Sequence, residues 1–263
     1  MKPLESDPDG PAFPDGPPPQ LSCEACADPR ALGFEFTFAF QPIVDLASGT
    51  IWSHEALVRG PEGQGAGSIL ARVDDGNRYR FDQACRVKAV ALAAELGLDC
   101  RLNINFLPNA VYRPELCIRT TLQAAERHGF PLDRLVFEVT EGEQIQDGAH
   151  LARIIAEYKR MGFKTAIDDF GAGYAGLNLL ADYQPDLIKL DLALVRDIDA
   201  NRARQAIVKG ILQVCADMGI AVIAEGIETP AEWDWLAEAG IRLMQGYLFA
   251  RPAFRSLATW APA

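Results

Sequence analysis

The chain has 263 residues, of which 49% are hydrophobic and 23% charged, and its formal net charge is -11. This length permits one large single-core domain, and the acidic balance argues against a nucleic-acid polymer as partner while leaving room for a small phosphate ligand. No apolar run approaches the roughly 18 residues needed to cross a bilayer, and the amino terminus lacks the basic and apolar regions of a signal peptide. No membrane insertion is expected, and a cytoplasmic location is the default.

Residues 1–33 read as a disordered or weakly ordered leader, because the opening stretch MKPLESDPDGPAFPDGPPP is rich in Pro, Asp and Gly and has no apolar periodicity. Cys23 and Cys26 form a CxxC beside this leader. With no second pair to complete a four-cysteine zinc site, it reads as incidental, and the other cysteines read as buried thiols. The folded domain is expected over 34–258. It opens on a strand, FEFTFAFQPIVD, a turn, ASGT, and a second strand, IWSHEALV, which together allow a hairpin. Residues 60–78 are Gly-rich and polar, and read as a loop with a short helical turn.

From there helices and strands alternate. The helix FDQACRVKAVALAAELG precedes the strand RLNINF, PELCIRTTLQAAERHG precedes RLVFEVTE, and AHLARIIAEYKRMG precedes KTAIDDF. A short helical segment at GLNLLADY leads to the strand DLIKLD, then come the helix ARQAIVKGILQVCADMG, the strand AVIAEGIE, the helix PAEWDWLAEAG and the strand-like IRLMQGYLF. Apolar strands alternating with amphipathic helices predict an α/β fold with a helix-covered parallel sheet, and eight strands favour closure into a barrel over an open doubly wound sheet.

Glu55, Asn105, Glu138, Asp168 with Asp169, Lys189, Glu225 and Gln245 then fall at or near the carboxyl ends of different strands, where barrel active sites are assembled. Adjacent aspartates repel unless exposed or neutralised by cations. The set offers hard oxygens and almost no sulfur or imidazole, which suits Mg2+ or Mn2+, and two ions bridged by one carboxylate would explain Asp168 beside Asp169. Such a pair lowers the pKa of a water and clamps a phosphoryl group. Lys189 could polarise that water or stabilise phosphate charge, or simply pair with Asp191 or another barrel carboxylate; Arg59, placed in an outward-facing loop, could present its guanidinium to a phosphate. Residue chemistry alone leaves phosphoryl transfer and carbon–oxygen lyase chemistry both open.

The ordered motifs Glu55-Ala56-Leu57, NINFLPN, FEVTE, DDFGAG, IKLD, AEGIET and QGYLFARP, spanning Phe40 to Pro252, resemble the EAL-domain cyclic di-GMP phosphodiesterases. The resemblance implies a modified TIM (β/α)8 barrel and hydrolysis of cyclic di-GMP to linear pGpG with two Mg2+ or Mn2+ ions. By motif, Glu55, Asn105, Glu138 and Asp168 are implied as metal ligands, with Asp169 bridging or binding the second ion. Lys189 is implied to assist the water, Glu225 to complete the metal and water shell, and Gln245 to support the nucleophilic water. Gln41, Arg59 and Asp191 are implied as substrate-contacting, Glu228 as supportive, and Glu141 as the anchor of the loop bearing DFGAGYAGLNLL. Asn103 and Asn105 compete for one ligand position, and Asn105 is chosen as nearer the strand end. The resemblance further implies a homodimer and allows a regulatory protein partner. The alternative reading is a non-catalytic cyclic di-GMP receptor, against which the complete set of catalytic residue types argues.

Overall fold

The computed structural model describes residues 32–111, 114–140, 148–173 and 176–260. Glu141 and the CxxC at Cys23 and Cys26 lie outside them. Strands β1 (Thr37–Asp45) and β2 (Thr50–Arg59) pair antiparallel. The turn between them needs Gly49, whose φ of 67° is left-handed and costs a glycine little. Helices α1 (Ala66–Leu70) and α2 (Arg78–Glu95) lead to β3 (Arg101–Asn105). Then come α3 (Pro114–Cys117), α4 (Arg119–His128), β4 (Leu135–Thr140), α5 (Gly148–Arg160) and β5 (Lys164–Phe170). The second half runs α6 (Gly176–Tyr183), β6 (Leu187–Leu190), α7 (Leu192–Val195), α8 (Arg202–Met218), β7 (Ala221–Ala224), α9 (Pro230–Glu238), β8 (Leu243–Met244) and β9 (Ala253–Phe254).

Strands β2 through β8 are parallel and neighbour one another in chain order, and β1 pairs antiparallel with both β2 and β8, so the ring closes. The expected barrel is therefore present, with one reversed strand, and closure rules out the open sheet. The short α7 and β9 were not expected from the sequence, and two expected elements are split or shortened. The helix expected from Pro114 is interrupted at Ile118, giving α3 and α4. The strand expected over IRLMQGYLF keeps only Leu243–Met244 in the ladder, because Gly246 presses against the Ile227 backbone, where an added Cβ would lie 2.0 Å from its carbonyl oxygen.

Alternation along each strand sorts side chains between two cores. Leu135, Phe137 and Val139 of β4 face the helices, where Phe137 packs 4.9 Å from the Tyr158 ring of α5 and 5.2 Å from Phe163. Full burial of such side chains stabilises by about 1.5–3 kcal/mol each. The inward residues form layers. Ile43, Val136, Ala166, Leu187, Ile223 and Leu243 make a separate apolar cluster inside the barrel. Two residues further toward the catalytic-type end of the parallel strands stand Glu138, Asp168, Lys189, Glu225 and Gln245.

Helix α2 carries a fully buried ion pair, Asp82 with Arg86, whose Asp82 Oδ1 accepts from the Leu107 amide (2.9 Å) and whose Arg86 donates to the Tyr158 hydroxyl (3.0 Å). It ties α2 and α5 to the segment that follows β3. Cys85 and Cys215 are buried free thiols, Cys117 is buried, and Cys100 is half-buried.

Candidate active site: a lysine among carboxylates

The upper layer of the barrel interior converges on Lys189. Its Nζ lies 2.7 Å from Glu225, 3.0 Å from Asp168, 3.1 Å from Glu138 and 3.2 Å from Glu55, with the lysine only 1% exposed. Amides hold the acids from the sides. Asn105 Nδ2 donates to Glu55 Oε1 (3.0 Å), Gln245 Nε2 donates to Glu55 Oε2 (3.0 Å), and Asn103 Nδ2 donates to Glu138 Oε1 (2.6 Å). These contacts run diagonally across the register: Glu55 is level with Asn103, and Asn105 with Glu138, on parallel neighbouring strands, so each asparagine donates to the acid one pleat away from its level partner.

The adjacent aspartates have a backbone explanation. Successive side chains of a regular strand point to opposite faces, but the β5–β6 register shifts between Ile167 and Phe170, and Asp169 takes a left-handed φ of 53°. This bulge brings both carboxylates to the same cleft. Asp169 tolerates the conformation better than most side chains would, and its amide donates to Asp168 Oδ1 at 3.0 Å. Glu55, Glu138 and Asp168 form one group whose oxygens lie within 4.8 Å of one another, and Asp168, Asp169 and Glu225 form a second. Asp168 belongs to both, so the geometry makes Asp168 the shared carboxylate and gives Asp169 to the second group alone.

One ammonium does not neutralise this set. At an effective dielectric of about 20, two carboxylates 4.8 Å apart repel by about 3 kcal/mol. Burial, against the pull of Lys189 and with Glu55 and Asp168 adding to it, pushes Glu138 up to about 8. Burial and the neighbouring acids likewise raise Glu225 well above the ordinary carboxylate range, although Lys189 opposes them. Burial, then Asp168 and Asp191, raise Asp169 to about 6. Burial alone would lower Lys189, but Asp168, Glu138, Glu225 and Glu55 outweigh it and hold the ammonium well above its usual pKa. Lys189 is therefore held as an ammonium in the metal-free chain. Hard oxygens surrounding unrelieved negative charge fit divalent cations such as Mg2+ or Mn2+. The Gln245 Oε1 and Asn103 Oδ1 atoms, both buried and without a hydrogen-bond partner among the described residues, leave further acceptors beside them.

The remaining sequence candidates separate. Gln41, level with Glu55 across the β1–β2 pair, lines the cleft and donates to the Ala250 carbonyl at 3.2 Å. Asp191 also lines it while capping α7 through the Ala193 amide at 2.8 Å, and it forms no pair with Lys189. Arg59 is not in a loop and does not line the cleft: the β1–β2 ladder extends to Thr37 opposite Arg59, and the guanidinium donates to the Val58 carbonyl at 2.8 Å. Glu228 sits at the rim, paired with Arg196. The cleft, of about 390 Å³, adds Leu57, Leu192 and a half-exposed Tyr247, which the sequence reading did not single out. The aromatic in QGYLF was the available signal for Tyr247. A depression of about 440 Å³ at the opposite end, beside Trp52 and Cys215, gathers no group of acids, so the chemistry belongs to the smaller cleft.

Comparison with known proteins agrees with this geometry. The EAL domain family model matches residues 29–252. The antirepressor BluF of Escherichia coli, named as blue light- and temperature-regulated, is 36% identical over 215 residues, covering 81% of this chain and 53% of BluF. The cyclic di-GMP phosphodiesterase NbdA of Pseudomonas aeruginosa is 30% identical over 81% of this chain and 28% of its own length. The chain thus spans about half of BluF and under a third of NbdA. Among solved structures, a standalone versatile EAL protein from Vibrio cholerae in its c-di-GMP bound form superposes with a TM-score of 0.85 at 55% identity, covering 87% of this chain and 97% of that one. Klebsiella pneumoniae BlrP1, solved as a manganese and cyclic di-GMP complex, gives a TM-score of 0.79 at 42% identity over 87% of this chain and 58% of BlrP1. With its barrel, its motifs in order and its carboxylates around Lys189, the chain belongs to the EAL domain family.

Proposed function

We propose that this chain hydrolyses cyclic di-GMP to linear pGpG in a reaction that requires Mg2+ or Mn2+. The observation that carries the reading is the pair of carboxylate groups sharing Asp168 around the buried Lys189. Glu55, Asn105, Glu138 and Asp168 would hold one ion, and Asp168, Asp169 and Glu225 the other. Bound there, the ions supply a water of lowered pKa and neutralise charge on the phosphoryl oxygens.

The chain's own groups do the rest. Lys189 keeps the carboxylates from spreading apart and, as an ammonium, supplies positive charge beside the water and the phosphoryl group. Gln245 donates to Glu55 through Nε2 and leaves Oε1 to accept a hydrogen bond from the attacking water, which orients that water toward phosphorus. Hydrolysis adds the water oxygen to phosphorus and breaks the phosphorus–O3′ bond, and the departing O3′ takes up a proton. Leu57, Leu192 and Tyr247 give the guanine bases apolar surface, while Gln41 and Asp191 meet the polar parts of the dinucleotide. Arg59 donates to the Val58 carbonyl through one nitrogen and keeps further N–H groups for a phosphate. Among the described residues no helix is long and apolar enough to cross a membrane, which agrees with action on a dissolved substrate in the cytoplasm. A homodimer, open to a regulatory protein, is the assembly this reading expects.

The relative BluF, named an antirepressor, supports a second reading in which the pocket retains cyclic di-GMP and passes occupancy to a partner. Purified protein incubated with cyclic di-GMP and Mg2+, Mn2+ or chelator separates the two. Metal-dependent pGpG that disappears in Glu55→Ala supports hydrolysis. Tight retention of intact dinucleotide without product in either metal selects the receptor.

A further inference from the structure

We propose that Asn103 is a positioning residue, which fixes the Glu138 carboxylate for cation binding without being a ligand itself. The inference rests on the metal-dependent reading above. Asn103 is fully buried on the inward face of β3, and its Nδ2 donates to Glu138 Oε1 at 2.6 Å. The other oxygen of Glu138 takes the Lys189 ammonium at 3.1 Å. A carboxylate turns readily about its last torsion, so one anchor leaves its plane free and two fix it. Asn103 thus sets which edge of Glu138 faces the cleft.

Charge explains why an amide stands there. A second cation would compete with a divalent ion, and another acid would add to a set already carrying four carboxylates around one ammonium. A neutral donor orients Glu138 without either cost. An ionised Glu138, the form that takes a cation, sets the amide's orientation, since the opposite one would aim Oδ1 at a carboxylate oxygen. The Asn103 Oδ1 is buried without a partner among the described residues, a cost set against the bond that Nδ2 makes to Glu138. Asn105 differs, being exposed and at the end of β3, while Asn103 lies a full pleat deeper.

The test is Mn2+ affinity measured by calorimetry on full-length protein without substrate, alongside urea unfolding of the same metal-free samples. Asn103→Leu and Asn103→Ala are expected to weaken Mn2+ binding about 10–100-fold, in metal-free samples that still unfold in one cooperative urea transition. A merely structural residue would move the midpoint and leave affinity in place, and that result overturns the proposal. Asn103→Asp keeps an oxygen where a ligand would need one but loses the donor, so it is expected to bind Mn2+ more weakly. Equal or tighter binding by Asn103→Asp would make residue 103 a ligand and also overturn it. If the parent binds Mn2+ but makes no pGpG, the positioning role stands while hydrolysis falls; if the parent binds no Mn2+, both fall.

Discussion

Two residues along a strand separate the lower interior of the barrel from the upper. Val136 and Glu138, Ala166 and Asp168, Leu187 and Lys189, Ile223 and Glu225, and Leu243 and Gln245 repeat the same step on five strands. The lower residue of each pair packs against apolar neighbours and stabilises the closed ring. The upper one joins a charged set that repels itself and is relieved only in part by Lys189. The difference teaches that one backbone supplies a rigid apolar floor and, a pleat above it, a site held in an unfavourable electrostatic state that divalent cations relieve.

Removing the lysine should break the comparison most severely. Lys189→Met leaves four buried or partly buried carboxylates without their cation, and the metal-free protein is expected to lose about 3–5 kcal/mol, part of which Mn2+ restores. Urea unfolding with and without Mn2+ measures this, and product formation should fall at least about a hundredfold. In the floor, Leu187→Ala should cost about 2–5 kcal/mol of stability yet leave turnover per folded molecule within about threefold. A variant of the floor that kept its stability and lost activity would dissolve the distinction between the layers.

Acidity sharpens it next. Glu138 holds its proton to about 8 in the folded protein, against a value of 4.5 when unfolded, so the folded state binds the extra proton between these limits. That contribution to metal-free stability is complete below 4.5 and is lost as pH rises through about 8, at up to about 1.4 kcal/mol per unit. Glu138→Gln should flatten the slope in unfolding measurements across this window. Because a cation must displace the proton, apparent Mn2+ affinity should rise by up to about tenfold per pH unit until near pH 8. The smallest effect belongs to Ser53, the inward residue two positions below Glu55, whose buried hydroxyl has no partner among the described residues. Ser53→Ala should stabilise by about 1 kcal/mol and leave Mn2+ affinity unchanged, which thermal unfolding and calorimetry check together.

Much of this was legible in the sequence. The helix–strand rhythm from Phe81 to Phe249 showed six strands, and the β1–β2 pair marked by the ASGT turn brought them to eight. Glu55, Asn105, Glu138, Asp168, Lys189, Glu225 and Gln245 were visible as polar residues interrupting apolar runs, and a strand buried on both faces shows such interruptions plainly. Direction and register were not visible. The reversal of β1 depends on which strands it joins, and the role of Asn103 depends on the levels at which β3 meets β2 and β4. Two asparagines at i and i+2 share one face, so LNINF carried the signal for both, and choosing between them discarded it. Arg59 was misplaced because the β1–β2 ladder runs further than the apolar pattern does. The Asp82–Arg86 pair was not legible either, since nothing local shows that Leu107 and Tyr158 close over it.

The most direct test of the account is Mn2+ stoichiometry, measured by calorimetry on the parent and on Asp168→Asn. Two ions per chain in the parent, with both weakened by the single substitution, is the predicted result, because Asp168 belongs to both carboxylate groups. A parent that binds no ion, or an Asp168→Asn protein that loses one ion and keeps the other at full affinity, would contradict a shared two-cation site.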